Sequence, residues 1–420
     1  MKSLKLTFFL LLALGSAFSS HVFAIKNSCD ANDDYRDFEI VENFIDSKRK
    51  KDYRQKGALL EFTGDARAVY VNRHERQDGI ALRGRNSRPV NAFFAEFNVK
   101  MNYRAEGSWA HVHLQLEEDA GTEIDLFGRD NCKTNPGGSF GSGFCDERCL
   151  KRAYFGFNIY KKCDWKFDIE FGRRPLYYIF DSRIQFHARA DGLVFKGARK
   201  IQKHSEVYLK VSPFVVDDRV NYFAYCAEAG YLNILEYRFD LIYSYIDWSQ
   251  KGRNACEIRN PRGWQFRNSQ LGLAYNFDDS VFKTEARLYS AVLYNHAAQS
   301  RIETHHKKKP YGWYAGFIIG EGETKGQWCL DCNYQWVQAQ AISDCDVHGI
   351  DRGNALRESF TTPGVNRGKS NYKGAIFDVV YVVTDDLYLD ASYQFSRAED
   401  KAIGGPHHYD RFEFNVIQEF

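Results

Sequence analysis

The sequence predicts an all-β fold: a transmembrane antiparallel β-barrel of about sixteen strands with a short N-terminal periplasmic extension. Three observations carry this reading. Apolar and polar residues alternate with period two in one segment after another. The connections between those segments alternate between short and long. The last residue is a phenylalanine that closes an alternating strand.

Composition is consistent with such a surface. The 420 residues include 57 Lys and Arg against 55 Asp and Glu, and 33 Phe, 26 Tyr and 7 Trp make 16 % of the chain aromatic. Mean hydropathy is nevertheless −0.51. A formal charge of +2 argues against a general nucleic-acid binder, which carries a basic excess or stripe. The aromatic content argues against intrinsic disorder. A structure with one aromatic-apolar face and one polar face produces this mixture.

Lys2 and Lys5 precede an apolar stretch from Leu6 to Phe18, and Val22 and Ala24 occupy the −3 and −1 positions of a small-residue cleavage site. That pattern is a secretory signal peptide, residues 1–24, cleaved after Ala24. Its apolar core is shorter than the roughly 20 residues a spanning helix needs. Residues 25–57, which contain the basic run Lys48-Arg49-Lys50-Lys51, read as a periplasmic arm, and the barrel is expected over 58–420.

Within the barrel, Phe93, Ala95, Phe97, Val99, Met101 and Tyr103 alternate with Phe94, Glu96, Asn98, Lys100, Asn102 and Arg104. Strand-like segments fall near 58–76, 91–105, 109–119, 151–162, 165–173, 183–195, 205–216 and 221–234. Eight more fall near 238–249, 267–277, 282–298, 310–321, 326–341, 371–384, 387–399 and 409–420. Asp278-Asp279-Ser280, Gly322-Glu323-Thr324-Lys325 and Thr384-Asp385-Asp386 are tight turns. The stretches near 120–150, 250–266, 299–309, 342–370 and 400–408 are long loops. Short turns at one end and long loops at the other is the pattern of an outer-membrane barrel. A secreted β-sandwich also alternates, and Phe420 separates the two readings. Soluble domains usually let their last residues fray, whereas an aromatic that ends an amphipathic strand resembles the membrane-assembly signal of outer-membrane barrels.

Sixteen strands leave an aqueous channel, so the charged face is expected to turn inward. Lys166, Asp168, Glu170, Arg183, Arg189, Asp191, Lys210, Glu285, Arg287, Arg411 and Glu413 belong to that set. Arg173 and Arg174 stand at the rim of a strand, before a 174–182 loop positioned to fold inward. They are the leading candidates for pore-lining selectivity residues. Both signs of charge occur, with a slight cationic lean.

Phe171-Gly172-Arg173-Arg174-Pro175-Leu176, the stretch from Ile179 to Phe186, and Asp191-Gly192-Leu193 resemble a family of sixteen-stranded Gram-negative outer-membrane porins. So do Lys325-Gly326-Gln327-Trp328, the run from Asn333 to Ala341 and the strand from Leu387 to Arg397, and the likeness covers about residues 90–420. The resemblance implies a water-filled channel in the cell outer membrane for passive diffusion of small hydrophilic solutes and ions. The partners it implies are the outer-membrane bilayer, those solutes, the assembly machinery and two further copies in a homotrimer.

The 10 cysteines depart from that family and resemble the habit of outer-membrane proteins of chlamydia-like bacteria. Cys132, Cys145, Cys149, Cys256 and Cys345 fall in the expected external loops and are disulfide candidates, since disulfides persist outside the cytosol. A structural cell-surface protein cross-linked to other envelope proteins through these loops, or an adhesin, is the alternative function. Cys329 and Cys332, three apart on a strand, face opposite sides and cannot share a metal. Asp344-x-Asp346-x-His348-Gly349 lacks the bidentate acid of a calcium loop. No nucleophile motif surrounds His74, His111, His113 or His187. The expectation is therefore no enzymatic activity, no metal, no cofactor and no nucleic-acid partner.

Overall fold

The computed structural model describes residues 60–81, 91–105, 107–119, 148–162, 164–202, 204–217, 222–250, 265–343, 346–350 and 370–420. The expected signal peptide and periplasmic arm lie outside them. Sixteen long strands run in chain order: β1 (Leu60–Gln77), β2 (Asn91–Ala105), β3 (Ser108–Asp119), β4 (Arg148–Lys162), β5 (Trp165–Pro175), β6 (Arg189–Gln202), β7 (Ser205–Asp217) and β8 (Tyr222–Leu232). They continue as β9 (Phe239–Gln250), β10 (Arg267–Asn276), β11 (Ala286–Asn295), β12 (Tyr311–Gly320), β13 (Trp328–Val337), β14 (Tyr372–Val382), β15 (Leu387–Ala398) and β16 (His407–Glu419). Each pairs antiparallel with the next, and β1 pairs with both β2 and β16, so the sheet closes. A two-residue ribbon, Ile80–Ala81, folds back on the end of β1.

All but one of the expected strand segments coincide with these strands to within about four residues. The alternation resolves as one apolar outer face and one polar inner face. Phe93, Phe97 and Tyr103 of β2, Leu271 and Leu273 of β10, Leu288 and Val292 of β11 and Phe317 of β12 are all exposed. Their neighbours Asn98, Gln270, Asn268 and Tyr289 are buried against the interior. A sandwich would reverse this arrangement. Aromatic residues collect near both ends of the outer face. Tyr160, Phe167 and Trp165 make ring contacts at the short-turn end, as do Phe239 and Tyr275. Tyr294 with Tyr311, and Trp313 with Tyr334, do so toward the loop end.

The closing seam is held at its last residue. Phe420 and Gly64 exchange backbone hydrogen bonds of 3.0 Å each way, and the Phe420 ring stacks on Phe97 at 5.4 Å. Gly64 has no side chain for a physical reason: a Cβ there would lie 2.5 Å from the Phe420 ring and 2.5 Å from the Asn98 carbonyl oxygen. Replacing Gly64 with leucine is expected to cost about 1–3 kcal/mol by overpacking. Urea unfolding of the barrel in lipid vesicles, read by tryptophan fluorescence, checks this, and Phe420→Ala is expected to weaken the same seam.

Candidate functional site

The strand expected at 183–195 is shifted along the chain: β6 runs from Arg189 to Gln202, and residues 176–188 turn into the barrel. Pro175 ends β5 and a single helical turn, Leu176–Tyr178, redirects the chain. Arg183-Ile184-Gln185-Phe186 alternates like a strand, but Phe186 adopts φ 74°, which breaks the extended path. The apolar residues of this loop do not join the exposed outer face. Leu176, Ile179, Phe180 and Phe186 pack on Phe214 of β7, Cys226 of β8 and Ile246 and Trp248 of β9. Ile184 joins Leu293 of β11, Tyr314 of β12 and Val337 of β13. Burial of each large apolar side chain contributes about 1.5–3 kcal/mol, which holds the loop on the wall.

Residues 338–343 and 346–350, between β13 and β14, also lie inside the barrel and lace onto the first segment. The His187 amide donates to the Asp346 carbonyl (3.2 Å) and the His348 amide to the Ile184 carbonyl (2.9 Å). The Ala188 amide donates to Asp346 Oδ1 at 3.2 Å. Gly349 sits at φ +89°, where an added Cβ would lie 2.6 Å from the Arg183 carbonyl oxygen. Together the two segments form one plate inside the barrel. Tyr177, Tyr178 and His348 line one edge of it, with the Tyr177 and His348 rings stacked at 5.4 Å. The Arg152 guanidinium of β4 lies 3.3 Å from the centre of the Tyr178 ring.

Polar anchors fix the plate to the β7–β13 wall. Lys210 Nζ donates to the Ile179 carbonyl (2.8 Å), and the Asp181 amide donates to Glu228 Oε2 (2.7 Å). Ser182 Oγ donates to Gln270 Oε1 (2.7 Å), and Gln270 Nε2 returns a bond to the Asp181 carbonyl (2.6 Å). Arg183 pairs with Asp331 of β13 at 2.7 Å, and Gln335 Nε2 donates to the Arg183 carbonyl at 3.2 Å. Buried charges persist only when paired and hydrogen-bonded. Glu228 meets that condition by also accepting from Tyr208 Oη (3.0 Å) and Lys210 (3.4 Å).

The opposite side of the lumen is wetter. The side chains of Arg67, Lys100, Arg411 and Glu413 keep 28 %, 22 %, 26 % and 20 % of their surface accessible, while Lys210 and Glu228 under the plate keep 4 % and 0 %. Water therefore reaches the β16–β2 wall and is excluded beneath the plate. Arg67 pairs with Asp65 and, at 3.6 Å, with Glu96; Lys100 lies 3.4 Å from Asp65. Arg411 pairs with Glu413. Charges of both signs are arranged as pairs rather than as a ring of one sign.

The residues singled out from sequence are placed as follows. Lys166, Asp168, Glu170, Arg174 and Arg287 turn inward. Lys166 bonds Asp168 at 3.1 Å, Glu170 receives Arg174 and, at 3.0 Å, Lys196, and Arg287 meets Asp240 at 3.0 Å. The Arg174 guanidinium also lies 4.2 Å from the Tyr154 ring centre. Arg173 and Asp191 share the outward register of Phe171 and Leu193 and form a two-bond fork with both distances 2.7 Å. Alternation thus turns this pair away from the lumen. Arg183 is in the plate, not on a strand, Arg189 is the first residue of β6, and Glu285 is exposed just before β11 at the short-turn end. Cys149 lies within β4 rather than in a loop, and Cys132, Cys145, Cys256 and Cys345 lie outside the described residues. Cys329 faces the lumen register and Cys332 the outer one, and no group of three metal-ligating side chains occurs among the described residues.

Glu228, Gln270 and Gln335 were not selected from sequence as site residues, and Asp346 was named only within a motif that falls short of a calcium loop. Glu228 alone had a signal, being the single acid in an otherwise apolar strand, Tyr222–Leu232.

No protein-family profile matches the chain, and no curated protein is significantly similar to it. Among solved structures, the high-pH structure of OprB from Pseudomonas putida is similar at 9 % identity and a TM-score of 0.49, covering 86 % of this chain and 94 % of that one. OmpF from Salmonella typhi in complex with daunomycin matches at 11 % identity and a TM-score of 0.49, over 86 % and 97 % of the two chains. A mutant of the Rh. blastica porin matches at 10 % and 0.43, over 86 % and 100 %.

Two expectations follow from the plate. Burial pushes the Asp346 carboxyl up to about 8, against the pull of the Ala188, Phe186 and His187 amides. A carboxyl raised this way contributes its full stability below the ordinary carboxylate range and loses it as pH climbs through about 8. Hydrogen-exchange protection of the His187, Ala188 and His348 amides, corrected for intrinsic rates, is expected to fall across that window and to stay level in Asp346→Asn. Glu228→Ala leaves Lys210 buried without its partner and is expected to cost about 3–5 kcal/mol, read by denaturant unfolding.

Proposed function

We propose that the chain is an outer-membrane porin: an open, water-filled channel through which small hydrophilic solutes and ions diffuse passively. The observation that carries this reading is the division of faces. A closed wall of sixteen strands exposes an apolar belt with aromatic ends and turns paired charges toward a lumen that water reaches on one side. An apolar belt of that extent is stable in hydrocarbon, where closure leaves no unpaired backbone edge. Sixteen strands are also wide enough for an aqueous passage. The plate narrows it to the space between residues 176–188 and the β16–β4 wall.

On this reading Arg174, Glu170, Lys166, Asp168 and Arg287 belong to the lumen lining, with Arg67, Lys100, Arg411 and Glu413 at the wet wall. Export by a signal peptide cleaved after Ala24, insertion by the outer-membrane assembly machinery acting on Phe420, and a homotrimeric state complete the proposal. Cross-links through Cys132, Cys145, Cys256 or Cys345 are part of it too, as additions to a channel rather than in place of one.

Purified protein in a planar bilayer is expected to give discrete conductance steps, and a bilayer that stays silent contradicts the channel. Arg67→Ala combined with Arg411→Ala removes two cations from the wet wall. In a salt gradient its reversal potential is expected to move toward cation preference.

A further inference from the structure

The outer face carries a row of charge that the channel does not use. Near the loop ends of four neighbouring strands, Lys373 of β14 stands opposite Arg397 of β15, Arg397 opposite His408 of β16, and His408 opposite Arg76 of β1. Residues directly opposite on antiparallel strands share a face. All four are exposed, and their inward neighbours Tyr372, Ala398, His407 and Glu75 are buried, so the row lies on the outside of the barrel. It crosses the closing seam between β16 and β1 without interruption.

Its height on the wall is as informative as its charge. Four residues further toward the short-turn end, on the same face, Phe377, Tyr393 and Phe412 stand opposite one another and are exposed members of the apolar belt. At about 3.3 Å per residue the basic row lies some 13 Å along the strands from that aromatic level, where a bilayer passes from acyl chain to headgroup. Trp336 of β13, opposite Lys373, extends the row with an interfacial aromatic. Like charges directly opposite destabilise a sheet. Two acids offset the row in part: Asp410, on the same face as His408, accepts from Tyr393 Oη at 3.3 Å, and Glu399 is shared between Lys309, at 4.0 Å, and Lys373. Three strand spacings make the row about 14 Å wide, a span that suits a large headgroup better than one small ion.

We infer that this row docks a phosphate-bearing lipid headgroup of the leaflet on the loop side of the barrel. The inference rests on the outer-membrane reading above. The anion neutralises the opposed cations while its acyl chains lie on Phe377, Tyr393 and Phe412, so one molecule satisfies both levels of the wall. Each Lys or Arg near such a headgroup strengthens retention several-fold, so Lys373, Arg397 and Arg76 together account for tenfold or more.

The test uses the purified full chain in detergent, washed after incubation with bisphosphorylated lipid A or with the same lipid stripped of its phosphates, and retained lipid is counted by native mass spectrometry. The wild type is expected to hold at least about tenfold more of the phosphorylated form. Lys373→Gln with Arg397→Gln and Arg76→Gln is expected to lose that preference, and Lys283→Gln with Lys325→Gln, which removes exposed charge at the short-turn end, is expected to keep it. A heat-modifiable folded band on gels confirms that each variant is a closed barrel. Equal retention of the two lipids by the wild type, or undiminished preference in the triple variant, overturns the inference. Bilayer conductance of the same samples is read separately: a channel that conducts but shows no lipid preference sinks the docking row alone, while a silent one sinks the porin reading.

Discussion

A sheet closed into a barrel leaves no backbone edge unpaired only if its first and last strands meet, and the junction of β1 with β16 is where this chain satisfies that constraint. Thirteen consecutive residues of β1, from Asp65 to Gln77, are in register with Glu419 back to His407, and the Gly64–Phe420 exchange adds one more step at the end of the chain. Without that seam both strands would present a long open edge, and the apolar belt would be carried by a ribbon able to pair with other chains. The terminal phenylalanine closes the hydrogen-bond ladder and also fills the space that Gly64 leaves vacant beside Phe97. Closure at sixteen strands then fixes the width of the wall, and the width creates the problem that the interior has to solve.

That interior is filled unevenly. A barrel this wide cannot pack its own inner side chains across the axis, so part of the wall receives a second layer from residues 176–188, 338–343 and 346–350. Under the plate, apolar residues such as Phe180, Phe186 and Ile184 meet inward-facing Trp248, Cys226 and Leu293, and the inner face is locally a protein core. Two of the charged groups trapped there have named partners: Lys210 the Ile179 carbonyl and Glu228, and Arg183 the Asp331 carboxylate. Across the lumen the same inward positions are occupied by charges that keep contact with water. The passage is thus set by which stretch of wall the plate covers.

Most of the fold was legible because period-two alternation is strong wherever a strand has an exposed apolar face on one side and a polar interior on the other. It stopped being diagnostic where both sides are protein. Arg183-Ile184-Gln185-Phe186 alternates as regularly as any strand, yet its apolar side chains face Leu293 and Trp248 inside the barrel instead of joining the exposed outer face. The unbroken apolar run from Leu176 to Phe180, with no polar alternate, is the signal that marks this segment as buried on every side. Inward placement of Glu170, Arg174 and Lys166 followed from alternation, and so did the outward placement of Arg173, which its position at the rim had obscured. The plate's anchors depend on contacts between residues some 30 to 160 positions apart, such as Ala188 with Asp346, which no local pattern encodes.

The claim on which all of this depends is that the polar face is the wet inner one and the aromatic face meets lipid. Single cysteines at positions 411 and 412, placed in turn in a chain whose ten native cysteines are serine, read the two faces from adjacent residues. In vesicles, a charged membrane-impermeant thiol reagent is expected to modify Arg411→Cys readily and to leave Phe412→Cys untouched, while a bimane probe attached to position 412 is quenched by brominated lipid. Rapid aqueous labelling at 412 with protection at 411 would contradict the barrel's orientation of faces and with it the channel.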